Sequence, residues 1–579
     1  MMKNNIFLFC LTMGSFFWGG SLFAQQKIDP TIEVKRDFDG KMLEINKSKL
    51  DTRINDTLNN FNLNFNYSIF EKPYRDMYEF SPLPSAGIHS PVSAKYPAFY
   101  ANLGIGFPIN PHADIYYQPQ LKKSNNTFAI QGRYHSFLDD LPLVKVNPNT
   151  WKTEKSDRKV AADHYVVGLQ ADYGHSWSNG ELSIGAGYSS NYYTYYGFNE
   201  QELPHLTLFN LTDSKIMRDN FSHTYNQFDF RFKIKSTDSK EKGARFNYKF
   251  YASYQNTSDK VVNTQRFTEN LLKAGGELGP AFGKYNKFLI GVNSQTAMYS
   301  GLIHYHYGII EFIPQYKFEK GRLLLNIGAK ISGSYSNVKD ANHYHNIFSP
   351  HVTVSYEILK NNLWVYGMAD GGNDINSYSS LLERNPWIVP MGNIQASAVP
   401  ILLKAGFKGK AFDKLSYELY GAYIVHKGLL QFVNSPMGES FTTVNSNHDE
   451  FTLGGNVNWK SKDFTGGLKA KYSSFSNGTP YGYAPFEGSV FGEYNWRERI
   501  YFGVDLCFRN ATPFYMEKNL AFLANMQGFL NLGATAKYVI NNHFAVYLQG
   551  GNLLNNPVQY QPYHLEKGIN FGAGLTVKF

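Results

Sequence analysis

From about Lys95 to its last residue the chain repeats one pattern: segments of about ten residues in which every second side chain is apolar. Phe99, Ala101, Leu103, Ile105 and Phe107 alternate with Tyr100, Asn102, Gly104 and Gly106. Tyr165, Val167, Leu169, Ala171 and Tyr173 alternate with residues that include His164, Gln170 and Asp172. Phe228, Phe230, Phe232 and Ile234 flank Asp229, Arg231 and Lys233. Similar runs cover Leu323 to Ile331, Leu415 to Leu419, Phe451 to Trp459 and Leu530 to Tyr538. Successive side chains of a strand point to opposite faces, so each run has one apolar and one polar face. Ten residues is the length of a tilted membrane strand, and many runs begin or end on the aromatic residues that gather at membrane interfaces.

About twenty-two such segments are countable, starting near residue 98 and ending with one near 569, within the range of outer-membrane barrels. The connectors alternate in length. Short ones (Trp177 to Gly180, Phe318 to Gly321, Leu359 to Asn362, Lys460 to Asp463, Arg497 to Arg499, Ile540 to Asn542) follow even-numbered segments. Long ones, about 136–161, 189–223, 424–448 and 508–528, follow odd-numbered segments. That is the parity of short periplasmic turns and long external loops. The expected fold is all-β, a transmembrane antiparallel β-barrel over residues 95–579. The segments numbered 8 to 10 are the least regularly patterned.

Composition agrees. The 579 residues include 42 Tyr, 45 Phe and 50 Gly, with 18% charged residues. Mean hydropathy is only −0.37. A barrel reconciles abundant aromatics with modest hydropathy, because only alternate residues face lipid and the rest line a wet lumen. The formal charge of +9 is a weak pointer to anionic solutes or lipopolysaccharide phosphates.

Residues 1–24 read as a signal peptide: Lys3, an apolar stretch from Ile6 to Phe23, then Ala24 before Gln25 and Gln26. Cys10 lies within the apolar stretch, too early for a lipid-anchor cysteine, and its removal leaves Cys507 as the only cysteine. At the other end Phe571, Ala573, Leu575, Val577 and Phe579 alternate with Gly572, Gly574, Thr576 and Lys578. A closing strand with terminal Phe579 resembles the signal read by the outer-membrane insertion machinery. The expected location is the outer membrane of a Gram-negative bacterium, with outer-membrane lipid and lipopolysaccharide as surroundings.

Gly550-Gly551-Asn552-Leu553-Leu554-Asn555 followed by Gly568-Ile569-Asn570-Phe571 resembles the closing hairpin of TonB-dependent receptors. Asn385-Pro386-Trp387, Ala405 to Gly409 and Leu415 to Leu419 resemble that family's mid-barrel stretch. The resemblance spans about residues 95–579. It implies a barrel of about twenty-two strands around a plugged lumen, serving gated transport. The family places a plug domain of well over a hundred residues before its barrel. Here residues 25–94 precede the first segment, too few for that plug, and are expected to be a periplasmic or lumenal segment. Within it Phe61, Leu63, Phe65 and Tyr67 alternate with asparagines as a strand would. Pro30-Thr31-Ile32-Glu33-Val34 resembles an energy-coupling box, but the preferred reading is an ordinary extended tail without TonB coupling. Occlusion of the lumen then falls to the N-terminal segment, the long loops, or a plug-supplying or lipoprotein partner.

His304, His306, His343 and His345 form two His-x-His pairs on adjacent strands and loops, a candidate site for zinc, copper or nickel weighed against ordinary rim chemistry. Tyr192, Tyr193, Tyr195, Tyr196 and Phe198 suit either a stacking platform or, preferably, an interfacial girdle. Arg133, Asp229, Arg231, Lys233 and Glu418 are expected on the lumen face. No G-x-S-x-G signature occurs, no catalytic residues are assigned, and no cofactor is expected. The expected function is a transporter or channel barrel, the alternative a non-transporting scaffold in an envelope assembly or surface complex.

Overall fold

The computed structural model describes residues 98–579 except 120, 122–124, 202–209, 237–245, 262–265, 284, 303, 338–345, 391–393, 395, 413 and 516–522. The signal peptide, the box-like Pro30–Val34 and the Phe61–Tyr67 segment lie outside these residues.

Twenty-two strands form the wall. The first six are β1 (Phe99–Phe107), β2 (His112–Tyr117), β3 (Asn126–Phe137), β4 (His164–Trp177), β5 (Gly180–Thr194) and β6 (Ser222–Ser236). Next come β7 (Phe246–Val261), β8 (Phe267–Phe282), β9 (Asn286–Ser300), β10 (Tyr305–Lys320) and β11 (Leu323–Ser336). They continue as β12 (Ile347–Leu359), β13 (Leu363–Asp374), β14 (Ser397–Ala411), β15 (Leu415–Asn434) and β16 (Phe441–Lys460). The last six are β17 (Phe464–Phe475), β18 (Phe486–Trp496), β19 (Ile500–Arg509), β20 (Phe529–Val539), β21 (Phe544–Gly551) and β22 (Asn570–Lys578).

Each strand pairs antiparallel with its neighbours, and β1 closes on β22 with Tyr100 opposite Lys578 and Phe107 opposite Phe571. Phe99 and Phe579 exchange both backbone hydrogen bonds at 2.9 Å, so the seam is paired to the last residue and no edge remains. At this seam Tyr547 on β21 lies flat along the lumen wall. A Cβ on Gly104 would sit 2.5 Å from its hydroxyl oxygen and one on Gly574 2.2 Å, so only glycine admits the ring there.

The exterior is apolar and uncovered by protein: Ile105 is 60% exposed, Leu169 60% and Leu548 64%. In water such a surface would be strongly unfavourable; in a bilayer it is the solvated surface. The barrel is that of an outer-membrane protein. Turns at one rim are tight. Arg497 and Glu498 between β18 and β19 both adopt left-handed backbone, as does Asn361 between β12 and β13.

The expected segments match these strands closely, with one large displacement. β16 begins at Phe441, well before the expected start near 449. The expected long connector 424–448 is instead an extended β15–β16 hairpin, bent where the register shifts between His426 and Leu429. Leu429, Leu430, Phe432 and Phe441 are all buried there, so both faces are covered and the alternation disappears. The weak patterning around β8 to β10 has a related cause: Leu271 and Ile309 are buried on the lumen side.

Candidate functional site

The lumen wall carries ion pairs of mixed sign. Arg231 bridges Asp229 at 3.0 Å and Asp172 at 3.3 Å. Glu277 meets Lys317 at 3.1 Å and Lys249 at 3.8 Å. Lys330 meets Asp370 at 3.0 Å and donates to the Gly371 carbonyl at 2.7 Å. Glu418 accepts from Tyr366 and faces Lys404, whose Nζ sits 3.8 Å from the Tyr420 ring centre. Arg133 pairs with Asp114 at 3.4 Å. Lys233 alternates with the lipid-facing Phe232 and Ile234 on the same strand as Arg231. A wall of mixed sign gives the lumen no simple preference for one charge.

Above this wall the connectors of the other rim fold together. Between β13 and β14 lies the short helix α2 (Tyr378–Arg384); α1 (Ser214–Asn220) lies between β5 and β6. Ser377 caps α2 by accepting from the Ser380 N–H at 3.2 Å. Tyr378, Leu381 and Leu382, spaced i, i+3, i+4, form one apolar face and are at most 1% exposed. They share a hydrophobic core with Phe267 and Leu271 of β8, Tyr299 of β9, and Tyr307 and Ile309 of β10, all on the lumen side of the wall. Helix α2 therefore sits inside the barrel mouth.

Polar contacts fix it there. The Glu269 carboxylate on β8 accepts from the N–H of Tyr378 at 2.5 Å and of Ser379 at 3.0 Å. The Tyr378 hydroxyl donates to Asp259 at 2.5 Å, and Asp259 also meets His223 at 3.2 Å. The Tyr307 hydroxyl donates to the Asn376 carbonyl at 2.5 Å, and that of Tyr305 to the Ile394 carbonyl at 3.2 Å. Glu269, Asp259, Tyr305 and Tyr307 of the wall are thus each hydrogen-bonded to a group of the β13–β14 loop, as burial requires.

The remaining loops lock onto this one. Phe441 N–H donates to the Trp387 carbonyl at 3.1 Å and Val389 N–H to that of Phe441 at 3.0 Å. Trp387 Nε1 donates to the Thr194 carbonyl at 3.1 Å. The tip of the β15–β16 hairpin reaches the β5–β6 loop, where Asn199 N–H donates to the Met437 carbonyl at 2.8 Å. The hairpin Asp140–Val146/Thr153–Ala161 contributes Val144 and Val146 to a second core. Its other members are Phe514, Ala524 and Met526 from between β19 and β20, and Tyr563 and Leu565 from between β21 and β22. Thr153 donates to Gln559 across these loops at 2.6 Å. Six loops thus pack together at this mouth.

His564 occupies the junction. Its ring lies 4.1 Å from Trp387, 4.9 Å from Tyr196 and 5.3 Å from Phe441, centre to centre. Nδ1 donates to the Pro562 carbonyl at 2.8 Å. A Cβ on Gly197 would lie 2.0 Å from the imidazole, so glycine is required for this approach. Burial holds the His564 pKa down to about 3.

The tyrosine cluster is divided between the two faces of the wall and the loops above it. Tyr192 stacks on Tyr165 at 5.1 Å on the outward face of β5, Tyr193 stacks on Tyr225 at 6.1 Å on the lumen side, and Tyr195, Tyr196 and Phe198 are buried among the loops. These last three became core because the loops after them return to the mouth. Of the two His-x-His pairs, His304 and His306 are exposed at the outer end of β10, and the His306 N–H donates to Asn337 at 2.9 Å. His343 and His345 lie outside the described residues. Among the described residues no group of three His, Cys, Asp or Glu is placed to hold a metal. Sequence reasoning missed α2, Glu269 and His564. The available signal was Leu381-Leu382 and Trp387 in a connector otherwise expected to be polar.

No family model matches the sequence, and no curated protein matches it. Solved structures do. The FrpB iron transporter from Neisseria meningitidis (F3-3 variant) superposes with a TM-score of 0.62 at 9% identity, over 84% of this chain and 82% of that one. The siderophore receptor PirA from Acinetobacter baumannii gives 0.60 at 10% identity, over 84% and 81%. FpvA from Pseudomonas aeruginosa, bound to heterologous pyoverdines, gives 0.61 at 11%, over 83% and 71%. The chain shares the barrel fold of these receptors. At such identities the likeness is one of fold alone.

Proposed function

We propose that the protein is a receptor-like outer-membrane transporter barrel whose lumen is closed at its outer mouth by its own loops. The observation that carries this reading is α2, inserted against β8 to β10 and tied to Glu269 and Asp259. Solute passes when this lid rearranges. The neighbours' names support a transporting role: FrpB is an iron transporter and PirA a siderophore receptor. The apolar exterior takes lipid and lipopolysaccharide as its surroundings, and terminal Phe579, paired in the seam, is the feature the insertion machinery would read.

The test is flux through proteoliposomes offered a panel of small labelled solutes. Saturable flux of at least one solute supports transport. Absence of flux for every solute, with a stoichiometric partner co-purifying from cells, would replace this reading with that of a scaffold.

A further inference from the structure

The lid's junction is built around a titratable ring with no charged partner. His564 is 2% exposed, and its Nε2 makes no hydrogen bond. The groups facing it come from four loops. The β5–β6 loop presents Tyr196 and Gly197, and the β13–β14 loop presents Trp387. The β15–β16 hairpin presents Phe441 and the backbone carbonyl of Glu439. The Glu439 side chain is engaged by the hydroxyls of Ser435 at 2.6 Å and Ser440 at 3.2 Å. On its own loop are the Pro562 carbonyl, Glu566 and Lys567, the last lying over the Phe137 ring at 5.3 Å. The Tyr196 phenol donates to the Leu565 carbonyl at 3.1 Å and is held neutral by burial.

We propose that His564 is an acid-sensitive latch: protonating it places a charge in the dry joint where these four loops meet and releases the lid. This rests on the reading that the lid closes the mouth. Exclusion of water from the joint favours a neutral ring, whereas an opened joint would hydrate the imidazolium. The ring's pKa is about 3 in the closed joint, against 6.5 when exposed. The closed state therefore has its full stability above pH 6.5 and loses it as pH falls from 6.5 towards about 3. Over two pH units below the exposed value the closed-to-open ratio falls about a hundredfold. Lys567, pushed down to about 8, is already cationic throughout that window and adds no further step.

The experiment is amide hydrogen exchange on the full-length protein in lipid nanodiscs, corrected for intrinsic rates, between about pH 7.5 and about pH 4.5. Peptides covering 385–389 and 558–566 are compared in wild type, His564→Gln and His564→Phe. Gel mobility with and without heating confirms an intact barrel. The latch predicts that wild-type lid peptides lose protection on acidification by up to the hundredfold above while a folded variant holds its protection. Unchanged wild-type protection, or equal loss in a folded variant, overturns it. Bilayer current recorded alongside separates the two claims. Lid opening without current supports the latch and removes the closure reading. Current that rises while the lid peptides stay protected removes the latch.

Discussion

Glu269 on the lumen wall accepts the backbone N–H of Tyr378 at 2.5 Å, and its second oxygen takes the next N–H, that of Ser379, at 3.0 Å. A fully buried carboxylate of the barrel thereby caps a helix that belongs to a loop. The wall and the lid are coupled through one side chain, and the first consequences of the fold follow from cutting that coupling.

Replacing Glu269 with alanine removes two buried hydrogen bonds and leaves two helix N–H groups unsatisfied, at a cost of about 1–3 kcal/mol each. The expected outcome is a β13–β14 loop that exchanges its amides faster while the barrel remains intact on unheated gels. Native-like protection of residues 376–388 in the variant would contradict the assignment.

Leu381 is fully buried in the lid core. Leu381→Ala is expected to lower the lid's local stability by about 2–5 kcal/mol through lost burial and the cavity left behind. The strands below should be unaffected, because their hydrogen bonds run in the wall and not through the loop. Exchange protection mapped separately over lid and wall checks this.

Gly197 faces His564 with no room for a methyl group. Gly197→Ala should displace the imidazole and loosen the contact between the β5–β6 and β21–β22 loops, whereas Gly283→Ala, where a Cβ meets nothing within 4 Å but the backbone is left-handed, should show only local strain at its turn. Proteolytic nicking of the two loops distinguishes them.

Phe579 closes the seam through paired backbone bonds with Phe99, and its ring stacks on His543 at 5.1 Å. Phe579→Ala keeps the backbone pairing but removes the terminal aromatic. The expected effect is slower assembly into the outer membrane, read from pulse-chase recovery of the heat-modifiable form, with little change once assembly is complete.

The barrel was legible in the sequence because each wall residue obeys a single rule: lipid on one face, lumen on the other. Phe228 and Phe230 face lipid while Asp229 and Arg231 face inward, and the period alone shows it. The lid was not legible. Its residues are buried on several sides by loops distant in sequence, so Leu430, Phe432 and Phe441 show no alternation. Tyr196, Trp387 and His564 meet only because three connectors return to one point. No local spacing encodes that meeting. Glu269 gave no signal either, since a lumen-facing carboxylate reads as ordinary hydration until its partner helix is in place.

The central claim is that the loops, through α2, close the lumen. Single-channel current in planar bilayers tests it directly, comparing the full-length protein with a variant in which residues 376–394 are replaced by a short Gly/Ser linker. The account predicts a silent wild type at neutral pH and a large, steady current through the variant. A wild type that already conducts steadily, or a loop-deleted variant that stays silent, would contradict it.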